Sequence, residues 1–309
     1  MLSAPRPLEP RLRLAPVVLL SAVASGCAAN LASLQRPEAL APGEFAVQGE
    51  AGVGVPVGTV GRATAAGVSL TAAGLELANE GEPVPDDVLR RAVSAGVGLA
   101  LNPPGTAYGA SARVGVLRGL DVGARFSTTD WRLDTKWTVA GDGQQTAANS
   151  LMLSYSHQRF GGVLFDVYEA AQLVSVFIPG LELEDPKRWE SELLFLRGRR
   201  HSENLELSWG LRGRWGGWQA PYWLDGAAWG VPEIVSTEEL RGHSLLVGGL
   251  VGGAVGKDWL WARGELTGAW SFQRAEIAGL PVNFGGPVLY PAVAVEVRTV
   301  QKPRGEPAP

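Results

Sequence analysis

Between Trp131 and Val139 the chain alternates: Trp131, Leu133, Thr135, Trp137 and Val139 fall on one parity, and Arg132, Asp134, Lys136 and Thr138 on the other. Successive side chains of an extended strand point to opposite faces, so such a stretch is a ribbon with one oily and one charged side. The pattern recurs where Leu205, Leu207, Trp209, Leu211 and Trp215 oppose Glu206, Ser208, Arg212 and Arg214. It recurs again where Leu120, Val122, Ala124 and Phe126 oppose Asp121 and Arg125, and from Phe45 to Val55. Candidate strands cover 45–56, 65–78, 89–101, 106–117, 119–128, 131–140, 147–159, 189–199, 203–215, 243–256, 258–273 and 287–299. That is about twelve. Ala and Gly dilute the alternation in 65–78, which also fits an Ala-rich helix, so ten or eight strands stay open.

Two-faced strands build either a soluble sandwich, with the oily face inward, or a membrane barrel, with the oily face toward lipid. Three features favour the barrel. The candidates run to about ten residues, the length a tilted strand needs to cross a bilayer. Aromatic residues sit near many strand ends, as at Trp131, Trp189, Trp215, Trp218, Trp259, Trp261, Trp270 and Tyr290, where interfacial girdles belong. Tight turns at Arg118-Gly119, His201 and Lys257-Asp258 alternate with the long segments 160–188, 216–242 and 274–286, which puts the turns on the periplasmic side and the long segments outside. No apolar run after the first 26 residues reaches the roughly 20 needed by a spanning helix. The expected fold is therefore all-β, an antiparallel transmembrane β-barrel over 45–300, preceded by a linker over 27–44 and followed by a disordered tail over 301–309. A net charge of −4 argues against nucleic acid as a partner. The 41 glycines and 11 tryptophans suit β-structure in a cell envelope.

The amino end reads as an export signal. Arg6, Arg11 and Arg13 precede an apolar run from Leu14 to Ala24, too short to span a bilayer. Ala24-Ser25-Gly26-Cys27 resembles the bacterial lipobox, with Ala24 in place of the commoner Leu, and Cys27 is the single cysteine of the chain. Acylation of Cys27 after removal of residues 1–26 is the preferred reading, because a lone thiol in an oxidising compartment has no disulfide partner within the chain. Cleavage after Ala22-Val23-Ala24 is the alternative. In either case the chain is exported.

The hairpin from Ala112 to Phe126, followed by Trp131-Arg-Leu-Asp-Thr-Lys-Trp137, resembles the repeated hairpins of uncharacterised bacterial outer-membrane β-barrel proteins, and the likeness covers most of residues 45–299. It implies the bacterial outer membrane with the amino end in the periplasm. It also implies membrane lipid and the outer-membrane assembly and lipoprotein-sorting machinery as partners. Such barrels commonly end on an aromatic residue, whereas Val300 is followed here by Gln-Lys-Pro-Arg-Gly-Glu-Pro-Ala-Pro, so an assembly signal would have to be internal.

With the polar parity inward, the lumen is lined by Arg113, Asp121, Arg125, Arg132, Asp134, Lys136, Glu206, Arg212, Arg214, Arg263 and Glu265, with Arg298, Glu50, Glu190, Glu192 and Glu296 alongside. The signs balance. A selective pore shows one sign in excess, so mixed charge points to a lattice of ion pairs filling the interior. About twelve strands would still leave space for a thin pore or an infolded loop. Candidate chemistry is sparse. His157 neighbours Ser154 and Ser156, and outer-membrane lipid hydrolases use His and Ser near a barrel rim, but the two serines have the opposite parity to His157. Glu182, Glu184 and Asp185 lack the spacing of a calcium loop, and Gly52, Gly54 and Gly58 lack that of a dinucleotide loop. Residues 162–178, able to form a short amphipathic helix in the outer loop or in a plug, are the candidate functional surface. The expectation is a structural or passive transport component, with no catalytic residues, cofactor or metal. The rival is a periplasmic lipoprotein with a β-sandwich or lipocalin-like barrel that binds an apolar ligand.

Overall fold

The computed structural model describes residues 30–80, 104–141, 147–159, 181–183, 187–224, 236–277 and 280–299, together with 87, 88, 91, 94, 95, 98 and 102. Its strands in chain order are β1 (Phe45–Gly54), β2 (Gly105–Leu117), β3 (Leu120–Ser127), β4 (Asp130–Gly141), β5 (Ala147–Arg159), β6 (Leu181–Leu183), β7 (Lys187–Ser202), β8 (Leu205–Leu224), β9 (Ser236–Lys257), β10 (Leu260–Ile277), β11 (Leu280–Asn283) and β12 (Gly286–Arg298). All but β6 and β11 form a closed antiparallel barrel of ten strands. It closes where β12 pairs with β1, from Ala46 opposite Arg298 to Gly52 opposite Ala292. The two short strands lengthen the wall at one end, β6 against β8 and β11 against β10.

The ten barrel strands coincide with ten of the twelve candidates. Of the other two, 65–78 is helical, and 89–101 is described at only four positions. Residues 57–80 form helix α1 (Val57–Glu80), which opens directly after Pro56, where proline's fixed φ suits a helix start. Thr59, Ala63 and Ala66 bury one stripe of it, at helical rather than strand spacing. In 89–101 the described residues Arg91, Ser94, Ala95 and Gly98 are helical too, with Arg91 paired to Asp87 one turn away. A short apolar run with Ala and Gly fits either period, and here the helix won.

The two ends of the barrel differ. At the turn end, β2–β3, β7–β8 and β9–β10 are joined by connections of a few residues, with Gly119 and Asp258 in the left-handed backbone region that tight turns require. At the loop end the chain makes its long excursions, including α1. The segments 216–242 and 274–286, expected as loops, are largely strand: β8 and β9 continue as a paired ribbon to Leu224 and Ser236, and β10 continues to Ile277. Residues 162–178 lie outside the described residues.

Exposure follows strand parity. Large apolar residues point outward on every barrel strand, among them Val47, Val114, Val122, Leu133, Leu153, Leu193, Leu211, Val251, Leu266 and Val295. The buried inward residues are mostly polar on β3, β4, β8 and β10, whereas β9 and β12 turn Leu246, Leu250, Ala254, Tyr290, Ala292 and Ala294 inward. Of the expected girdle, Trp189, Trp215, Trp259 and Trp270 are exposed, but Trp218, Trp261 and Tyr290 are buried. Parity explains the correction, since Trp261 shares a face with Arg263 and Glu265, and Trp218 with Arg212 and Arg214.

Candidate functional site: the occupied lumen

The lumen holds its own chain. Residues 30–41 run inside the barrel wall before the backbone leaves at the turn end and becomes β1. Arg125 of β3 donates to the carbonyls of Ala32 and Ser33, while Arg212 of β8, across the ring, donates to that of Leu31. A segment gripped at adjacent peptide groups from opposite walls lies within the bore. The stretch delimited as the 27–44 linker thus occupies the barrel from Asn30 onward, and Cys27 lies outside the described residues.

The remaining contacts follow the bore from its middle to the turn end. Asn30 donates to Glu50 at 2.8 Å and accepts from the Tyr290 hydroxyl at 3.1 Å. Glu265 accepts from the Ser33 amide at 2.9 Å, the Ser33 hydroxyl at 2.7 Å and the Leu34 amide at 2.6 Å. Lys136 donates to the Arg36 carbonyl at 3.2 Å, Thr138 accepts from the Ala39 amide at 2.9 Å, and Asp121 from the Leu40 amide at 2.9 Å. Leu31, Ala32 and Leu34 pack on Leu246, Tyr290, Ala292 and Ala294. Glycine makes the space where the segment passes closest: a Cβ on Gly198 would overlap Pro37, and one on Gly115 the Ala41 carbonyl. Those two positions need glycine for close approach rather than for backbone freedom.

The charges of the inward parity lie inside the wall, most of them buried, with Arg113, Asp134 and Arg298 partly so, and they fall into linked groups. Arg113 bridges Asp121 and Asp134, and Lys136 adds to Asp121 at 3.2 Å. Arg125 meets Glu50 at 3.1 Å. Arg132 and Arg212 share Glu192, at 3.3 and 3.1 Å. Arg214 and Arg188 share Glu190, each at 2.6 Å. Arg263 joins Glu296 at 2.7 Å to Glu206 at 3.4 Å, where Arg200 also arrives at 3.3 Å. Pairing offsets the several kcal/mol that an isolated charge would cost in a site screened from water. Several of these side chains also bind the inserted segment, a role that side-chain parity alone does not reveal.

At the loop end, residues from the excursion between β1 and β2 cover the bore. Asn102 makes a two-way amide pair with Gln273, at 2.8 and 3.1 Å, and accepts from Arg188 at 3.1 Å. Thr59 and Arg62 of α1 donate to the Phe284 carbonyl, and partial burial there lowers the Arg62 pKa from its usual value. Phe284 stacks edge-on against Trp218 at 6.1 Å. At the turn end a cavity of ≈ 870 Å³ stays open, bordered by Arg36, Glu38, Arg118, Arg200, Glu203, Asp258 and Arg298.

His157 faces outward beside the Trp131 ring at 6.0 Å, whereas Ser154 and Ser156 are buried on the inner face, Ser156 accepting from Arg214 at 2.9 Å. The barrel wall separates them. His201 is exposed near the end of β7. Among the described residues no cluster of His, Cys, Asp and Glu suited to a metal ion occurs.

These features define a closed antiparallel β-barrel with an apolar exterior and an occupied, charge-paired bore. No protein-family model matches the chain, and no curated protein matches it. Among solved structures it is similar to Neisserial surface protein A, NspA (10% identity, TM-score 0.28, covering 82% of this chain and 98% of that one). It is also similar to a major outer membrane protein from Thermus thermophilus (14%, 0.33, 62% and 99%) and to the outer membrane protease OmpT from Escherichia coli (6%, 0.35, 87% and 100%). Likenesses this slight carry no inference about function.

Proposed function

We propose that this chain is a bacterial outer-membrane β-barrel that acts as a structural or passive transport component without catalysis, its bore closed at rest by its own amino-terminal segment. The observation that carries the reading is the direction of exposure. Leu133, Leu193, Leu211, Val251 and Val295 face outward, while Asp121, Arg132, Lys136, Glu192 and Arg212 are buried inside, the inverse of a soluble protein. An apolar ligand would meet these charges, which disfavours a lipocalin-like binder. The contrast between short turns and long excursions supports an orientation with the turn end in the periplasm. Partners in this reading are membrane lipid and the outer-membrane assembly machinery.

The test is gel migration of the membrane fraction with and without heating. A folded barrel migrates faster unheated; recovery of the native protein in detergent-free solution would overturn the reading. We further propose that residues 1–26 are removed and Cys27 is acylated, which engages the lipoprotein-sorting machinery. Mass measurement of the mature amino terminus should show an acylated cysteine, and a terminus at Ser25 rejects it.

A further inference from the structure

The chemical groups that the wall grips determine what else it would hold. Among the described residues, eleven hydrogen bonds join the wall to residues 30–40, and eight of them go to main-chain groups of the inserted segment. Glu265, Asp121 and Thr138 accept from amides; Arg125, Arg212 and Lys136 donate to carbonyls. The other three go to the side chains of Asn30 and Ser33. Every peptide unit carries the same donor and acceptor, so a wall that reads them accepts a chain by its backbone, here one that turns at Leu34 (φ 48°) so that two consecutive amides meet Glu265, with side chains selected by the pockets between. Those pockets are apolar where Leu31 and Leu34 meet Leu246 and Tyr290, and tight where Pro37 meets Gly198.

We propose that the lumen is a binding channel for a non-helical polypeptide segment supplied in trans, with residues 30–41 as its resident competitor. The inference rests on the barrel reading above and adds a ligand class to it. The open end is the turn end, where the ≈ 870 Å³ cavity bordered by Arg36, Arg200 and Arg298 leads to the seated segment. The loop end is covered by Asn102 and α1. A tethered competitor acts at an effective concentration of about millimolar, so a second segment displaces it only when supplied in excess of that concentration, and binds readily once the resident one is weakened.

The full chain carrying Ser33→Pro and Leu34→Pro provides that condition. Both amide donors to Glu265 and the Ser33 hydroxyl are lost, and the wall is untouched. A fluorescent peptide with the sequence of residues 30–41 is titrated into the detergent-solubilised protein and followed by anisotropy. It should bind the variant at least about tenfold more tightly than the unaltered chain. Replacing the counterparts of Gln35 and Glu38 by alanine should change affinity by less than about threefold, whereas N-methylation of the two amides that face Glu265 should weaken it about 100-fold. Equal affinity for methylated and unmethylated peptides overturns the proposal, as does no binding to a variant that retains heat-modifiable migration. Should the variant lose that migration, the unaltered chain gives a second reading: hydrogen exchange across residues 31–41 should rise with excess peptide, and unchanged exchange overturns the proposal. A heat-modifiable chain that binds no peptide fails this inference alone; an unaltered chain that lacks such migration fails the membrane reading first.

Discussion

Glu265 is the wall residue most committed to the inserted segment. Its two oxygens accept from the Ser33 amide, the Ser33 hydroxyl, the Leu34 amide and the Thr267 hydroxyl. Removing the carboxylate leaves two buried amides without an acceptor, and each such orphan costs about 1–3 kcal/mol. Glu265→Ala should therefore destabilise the seated segment by about 2–5 kcal/mol. Hydrogen exchange at Ser33 and Leu34 measures this, rising by about 1.5 to 3.5 orders of magnitude, while Glu203→Ala at the exposed β7–β8 turn leaves exchange unchanged. Protected amides in the Glu265 variant would show that the grip lies elsewhere. The inward position of Glu265 was legible in the sequence, because parity on an amphipathic strand is a side-chain signal. What Glu265 binds was not, because amides and carbonyls are the same in every sequence.

Each barrel strand carries an outward apolar row, and in the proposed membrane setting its depth in the bilayer varies along the strand. On β8, Leu211 is 61% exposed and lies mid-strand beside Phe195, while Leu207 sits two residues from the turn-end start of the strand. Arginine on a lipid face costs about 2–4 kcal/mol at the midplane and about 0–1 kcal/mol near an interface. Leu211→Arg should abolish or sharply reduce heat-modifiable protein in the membrane fraction, and Leu207→Arg should be tolerated far better. Equal tolerance of both would remove lipid from the outer face. Strands with this row, such as 131–140, were legible to within a few residues because two periods of opposite polarity reinforce each other. Residues 65–78 were not, since Ala and Gly carry little polarity and leave strand and helix almost equivalent until tertiary contacts decide. Thr59, Ala63 and Ala66 of α1 reveal their helical spacing only against Phe284 and Ala95.

Ten strands enclose more cross-section than side chains alone fill, since eight already leave an interior just wide enough for side chains. The inserted segment takes up the difference. Leu31 and Leu34 supply apolar bulk to the side lined by Tyr290 and Ala292, while Arg125 and Arg212 close on its peptide groups from opposite walls. Charge balance in the bore was legible, and it pointed away from an ion-selective pore. The strand count and the occupant were coupled, and neither was legible alone: with twelve strands the same segment would leave an open annulus, and with eight it would not fit. At rest the bore is therefore blocked in the middle by residues 30–41 and at the loop end by Asn102 against Gln273. Reconstituted in planar bilayers, the unaltered chain should show no steady conductance steps. The Ser33→Pro and Leu34→Pro chain should conduct, but less than an unobstructed bore, because Asn102 and α1 still cover one end. The double variant with Asn102→Ala should conduct more than either change alone, since the two barriers lie in series and removing one leaves the other limiting. Steady steps from the unaltered chain, or an unchanged current when the second barrier is removed, would place the ion path outside this bore.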